Sequence, residues 1–151
     1  LVVRSMGEAD PERPEMLDCE GVVMPVDDAV STMFFVGDDN QLYCQVDDRP
    51  AVALVAGIEN MQVEYGMASS SAGAAQFQVD HYADALTIAG TEWPQVMSVR
   101  VGLLARSELV ALDREPQELV IFDTTATMEF TDGRARQVFT QTISLRGNLS
   151  N

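Results

Sequence analysis

Hydrophobic and polar residues alternate with period two along much of this chain, and the longest such run is Trp93 to Ser107. Met97, Val99, Val101, Leu103 and Ala105 share one face, while Ser98, Arg100, Gly102 and Arg106 share the other, with Leu104 the apolar exception. Successive side chains of a strand point to opposite sides of a sheet, so the pattern predicts a half-buried central strand with the Met97–Ala105 face inward. Gly102 in mid-segment and the β-branched valines speak against a helix.

Shorter runs surround it. Leu1 to Arg4 and Thr32 to Val36 read as strands. Gly37-Asp38-Asp39-Asn40 turns the chain, and Gln41 to Val46 returns with Leu42, Cys44 and Val46 on one face, which predicts a hairpin. Ala51 to Ala56 is apolar, and Ile58 to Tyr65 alternates, with Met61, Val63 and Tyr65 inward and Gly66 as its stop. Met67 to Ala74 is rich in small residues and reads as a surface loop. Asp80 to Ala89 is the one helical candidate, capped by Asp80 and ended by Gly90. Leu119 to Phe122 and Ala126 to Phe130 are short strands. Asp132-Gly133 is a type I′ turn signal, and Arg134 to Arg146 runs back with Phe139, Ile143 and Leu145 inward. The expected fold is therefore mainly β: antiparallel sheets of eight or nine short strands with one short helix. Residues 1–151 form a single globular domain in this reading.

Composition sharpens this picture. A chain with 46% hydrophobic residues can bury a core. No apolar run reaches the length of about 18 residues that a membrane-spanning helix needs. The chain opens on a strand pattern, carries no signal peptide, and reads as a fragment of a longer protein. The formal charge is −15, and all nine basic residues are arginine. Such a field repels phosphate backbones and anionic lipid, so no nucleic-acid partner is expected. Acidity keeps the domain soluble, and adaptation to high salt is a second reading.

Candidate chemistry is sparse. Cys19 and Cys44 are the only cysteines. They permit one disulfide, closing a loop worth roughly 3–4 kcal/mol in the chain-entropy model, or they stay as two buried thiols. With no CxxC, neither redox chemistry nor a zinc site is supported. His81 is the single histidine, beside Asp80 and Tyr82, and lacks partners for a triad or a metal site. Asp27-Asp28, Asp38-Asp39 and Asp47-Asp48 are adjacent acids in turns, where both are solvated and neither is set apart as acid or base. Asp38-Asp39-Asn40 lacks the spacing of a calcium loop. The eight methionines have no regular spacing and read as core filling. No catalytic residue, cofactor or metal is expected. Arg100 and Arg106 share the polar face of the central strand, and they either pair with acids on the same sheet or dock an acidic neighbour. Asn148-Leu149-Ser150 matches a glycosylation sequon at the end of the chain.

Four segments carry a family resemblance: Asn40-Gln41-Leu42-Tyr43-Cys44, Leu54 to Gly66, Trp93 to Ser107, and Arg136 to Arg146. In this order they resemble the C-terminal part of PilW-type minor pilins of type IV pili. The most specific are G-I-E-N-M-Q-V-E-Y-G and W-P-Q-V-M-S-V-R-V-G-L-L-A-R-S. The resemblance implies an α+β pilin-like fold whose N-terminal hydrophobic helix lies upstream of this fragment and anchors it in the inner membrane. It implies a globular part facing the periplasm and then the cell exterior, in keeping with a Cys19–Cys44 disulfide. Other minor pilins, the major pilin and a tip adhesin would be the partners, and the role would be non-enzymatic: priming pilus assembly for adhesion or twitching motility. A minor pseudopilin J-like subunit of type II secretion is the second reading, and a secreted β-sandwich that binds a ligand is the third.

Overall fold

The structure is a computed structural model that describes residues 1–7, 15–68, 78–111, 115–122 and 127–145. Ten strands lie among these residues: β1 (Val2–Ser5), β2 (Val30–Val36), β3 (Gln41–Val46), β4 (Val52–Ala56), β5 (Ile58–Ala68), β6 (Val79–Ala83), β7 (Val96–Val110), β8 (Gln117–Leu119), β9 (Met128–Phe130) and β10 (Arg134–Ser144). They form antiparallel sheets, as the alternation predicts. The chain divides into two compact units, Leu1–Asn60 and Met61–Asn151.

In the first unit, β1-β2-β3-β4 form a meander in chain order. The β2–β3 hairpin turns at Gly37–Asn40, with Val36 opposite Leu42 and Asn40 at φ 57. Asparagine tolerates that left-handed geometry better than most residues. Met24, Val30, Cys44 and Val46 make the core, with Cys19 and Phe34 packed against it.

The second unit carries the sheet β10-β7-β5-β6 and the small pair β8-β9. The run at Trp93 to Ser107 is its interior strand, β7, preceded by a 3-10 turn at Trp93–Gln95. The faces, however, are reversed from the expected ones. Val96, Ser98, Gly102 and Leu104 are the buried positions, and Met97, Val99, Val101 and Leu103 are half-buried. The reason is steric. Gly102 leaves room for Ile121 to seat on that face, and Leu104, at 1% exposure, is a core position there. Phe139 and Ile143 lie on the opposite face and are 53% and 52% exposed, so they do not point inward.

Further expectations are corrected. Gly66 does not end β5. The strand runs on to Ala68, and a Cβ at Gly66 would stand 2.2 Å from the Ser98 hydroxyl, so glycine marks a close approach. Met67 is accordingly a core residue with Ile88 and Val96. The remainder of the expected 67–74 loop, residues 69–74, lies outside the described residues.

The helix at 80–89 does not form. Asp80 to Ala83 belong to β6, which sets Tyr82 opposite Gly66 and Ala83 opposite Tyr65. Asp84 takes the capping role instead, accepting from the Leu86 and Thr87 N–H groups at 2.8 and 3.0 Å. A helix of about ten residues is marginal alone, and pairing along one edge with β5 offers Val79–Ala83 ladder hydrogen bonds.

The Asp132-Gly133 turn joins strands that do not pair with each other: β9 lies against β8, and β10 against β7. Gly133 alone has positive φ, whereas a type I′ turn requires it at both central residues. The Asp132 carboxylate is drawn instead into a bidentate pair with Arg136, at 2.6 and 2.8 Å. The strand expected at Leu119 to Phe122 also sits earlier, at β8, because Ile121 and Phe122 turn inward onto the sheet.

Candidate functional site

Arg100 is heavily engaged on β7. Its guanidinium lies 4.2 Å from the centroids of both the Tyr82 and Phe122 rings. Its Nε donates to Glu64 Oε2 at 3.1 Å, and Nη2 pairs with the same oxygen. Both side chains are about one-fifth exposed. The planar guanidinium is suited to stacking between two rings while its edge meets a carboxylate. Of the two roles foreseen for this arginine, pairing within the sheet is the one its geometry performs. Arg106 is half-buried and also engaged.

Phe122 holds its place at a cost. Its φ is 58, an uncommon value for a bulky residue, and the neighbouring Ile121 is fully buried. A Cβ at Gly102 would lie 2.4 Å from Ile121 Cγ2, so Ile121 occupies the notch that glycine leaves. Residues 121–122 thus plug the buried face of the sheet. A glycine inside a strand is the sequence signal for such an approach.

In the first unit, Cys19 and Cys44 are joined in a disulfide with Cα atoms 6.5 Å apart. Cys19 sits in a tight turn bounded by the Leu17–Val23 bridge. Asp18 organises this turn: its Oδ1 accepts from the Glu20 and Val22 N–H groups at 2.9 and 3.0 Å, and its Oδ2 pairs with Arg49. Arg49 also reaches Glu20 at 2.6 Å. Burial works to raise the Asp18 carboxyl, but the Arg49 and backbone hydrogen bonds outweigh it and hold it below the ordinary value. A covalent and an ionic staple therefore fasten one turn to β3 and the residues just after it.

A cavity of ≈ 710 Å³ opens in the second unit, lined by Glu64, Asp80, Asp84 and Glu92 along with His81, Tyr82 and Ile88. Most of these acids have structural employment. Glu64 holds Arg100, Asp84 caps the 85–87 turn, and Glu92 accepts from the Ala89 N–H at 3.0 Å. His81 and Asp80 are neighbours on the surface, 3.5 Å apart. No cluster of His, Cys, Asp or Glu that could hold a metal lies among the described residues. No helix among them is long and apolar enough to cross a membrane. The acid pairs of the turns stay apart in role: Asp39 binds the Tyr43 hydroxyl at 2.6 Å, which lowers its carboxyl and raises the phenol, while Asp28 caps the Ala29 N–H at 2.9 Å. The sequon at Asn148 lies outside the described residues.

Among the described residues, Arg49, Glu64, Asp84, Glu92 and Arg100 are thus held by partners within the chain. A family model described as Type IV Pilus-assembly protein W matches residues 30–147, which include β2 to β10. Neither a curated protein nor a solved structure gives a significant match.

Proposed function

The chain belongs to the type IV pilus-assembly protein W family, and from that premise we propose that it is the globular part of a minor pilin with a structural role in priming pilus assembly. In this reading it takes its place with other minor pilins, the major pilin and a tip adhesin, and supports adhesion or twitching motility. It faces the periplasm before assembly and the exterior afterwards, and it is held in the inner membrane by a hydrophobic helix N-terminal to the domain. The observation that carries the reading is the match over residues 30–147. The disulfide at Cys19 and Cys44 supports an oxidising location. The structural employment of Arg49, Glu64, Asp84, Glu92 and Arg100 supports a non-enzymatic role.

The test is a deletion of the gene with a complementing copy. Loss of surface pili and of twitching, restored by the complement, is the expected result. Normal piliation with a defect in protein secretion would transfer the domain to a pseudopilin of type II secretion. No defect in either would remove the assembly role.

A further inference from the structure

We propose that the outer edge of β10 is a pairing edge for a second copy of this chain, joined antiparallel about a twofold axis at Gln141. In the sheet order β10-β7-β5-β6, β10 is an end strand with 11 residues. From Gln137 to its end at Ser144, and on to Leu145, it reads Q-V-F-T-Q-T-I-S-L, without a charge, a proline or a glycine. Folded proteins blunt sheet edges with such residues, because an open ladder of N–H and C=O groups recruits another strand. This edge lacks that protection, and its side chains are exposed, Phe139 at 53% and Ile143 at 52%.

Backbone geometry fixes what can pair. The Arg136 N–H is taken by the Gln117 side chain at 2.9 Å, so it points away from β7. Alternation then directs the ladder groups of Val138, Thr140, Thr142 and Ser144 outward as well. An antiparallel copy centred on Gln141 sets Thr140 opposite Thr142 of the partner subunit and Val138 opposite Ser144 of the partner subunit, as hydrogen-bonded pairs. It sets Phe139 opposite Ile143 of the partner subunit in a non-hydrogen-bonded pair, where side chains approach most closely. Aromatic against β-branched and threonine against threonine are favourable cross-strand neighbours.

Charge selects the occupant. The chain carries 24 acids, and none lies beyond Asp132. A basic partner is drawn to the acidic surface elsewhere. A second copy, itself at −15, meets least repulsion along the acid-free strand. The inference does not depend on the pilus reading.

The experiment is sedimentation of this 151-residue chain over a concentration series reaching millimolar, beside three variants. The parent should approach about 33 kDa, twice its 16.5 kDa. Gln141→Lys places like charges face to face at the axis and should weaken association by about tenfold or more. Gln141→Cys should give a reducible crosslinked dimer under mild oxidation, since facing Cα atoms in such a pair are within disulfide reach. Gln137→Cys, off the axis, should not. These side chains are exposed, and circular dichroism checks that each variant folds. A parent that stays monomeric throughout overturns the proposal. So does a dimer indifferent to Gln141→Lys, or equal crosslinking of the two cysteine variants.

Discussion

Gly102→Ala separates two opposite expectations. Gly102 is not at positive φ, and in an open strand alanine would stabilise by about 0.5–1 kcal/mol, because glycine loses more conformational freedom on folding. Here the new Cβ meets Ile121 Cγ2 at 2.4 Å and Phe122 Cζ at 2.9 Å. Ile121 is fully buried, and the Phe122 ring lies 4.2 Å from the Arg100 guanidinium, so neither retreats without losing its own contacts. Overpacking a tight core site costs about 1–3 kcal/mol. The steric term outweighs the backbone gain, leaving a net loss of roughly 1–2 kcal/mol. At about 2–4 °C per kcal/mol for a chain of this length, Tm falls by roughly 2–8 °C. Thermal and urea unfolding of parent and variant measure it. Ile121→Ala alone should cost about 2–5 kcal/mol, and combining it with Gly102→Ala should cost less than the sum, because the second change empties the space the first one fills. A Gly102→Ala protein as stable as the parent, or more so, would refute the docking of residues 121–122 on β7.

Reducing the Cys19–Cys44 disulfide, which spans 25 positions, should destabilise by about 3.5 kcal/mol in the chain-entropy model; an unchanged unfolding midpoint in reductant would contradict it. Arg100→Lys keeps the charge but cannot stack between Tyr82 and Phe122 while holding Glu64, and should lose about 1–2 kcal/mol; full stability in the lysine variant would show that the guanidinium plane is irrelevant. Asp18 has a folded-state value below its unfolded 3.8, so its contribution is present above that pH and is lost as pH falls through the folded value. Asp132, held far lower by Arg136, behaves in the same sense at still lower pH. Stability should therefore drop below about pH 4, and less steeply in Asp18→Asn, as followed by Tm against pH; parallel curves would remove Asp18 from the acid transition.

The period-two pattern was enough to find β7, the β2–β3 hairpin and the antiparallel class, since alternation follows directly from the pleat. It could not tell which face is covered, because that depends on a remote segment. Ser98 and Gly102 read as a polar face in isolation, yet both are buried: Ile121 seats at Gly102, and the Ser98 hydroxyl itself seats at Gly66. Asp80 to Ala89 misled because local capping and spacing favour a helix, while pairing to β5 is non-local. The Asp132-Gly133 signal placed a turn correctly but not its strands, because Asp132 is committed to Arg136. Of the candidate residues, the two cysteines could be bonded or free on the sequence alone, and the family resemblance favoured the bond. The role of Asp18 and Arg49 was not legible, because the two lie 31 positions apart.

The fate of the arginines decides what kind of surface this domain offers. Arg49 is held by Asp18 and Glu20, Arg100 by Glu64 and two rings, Arg134 by the Ser107 and Glu108 carbonyls, and Arg136 by Asp132 and the Phe130 ring. Among the described residues these four arginines are thus employed in fixing turns and sheet faces, Arg106 is engaged as well, and the Arg136 side chain is only 4% exposed. Ion pairs of this kind cancel acids locally and leave the surplus of acids to set the field that an approaching partner meets. Recognition by steering would then favour basic partners over most of the surface. The exception is the acid-free strand β10, where contact rests on backbone hydrogen bonds and on Phe139 and Ile143. Such contacts are little affected by salt, whereas steered contacts weaken as the Debye length shrinks. Salt dependence therefore discriminates between the two surfaces: association through β10 should hold or strengthen as ionic strength rises and the −15 charges are screened, and association that collapses with salt would place the contact elsewhere on the domain.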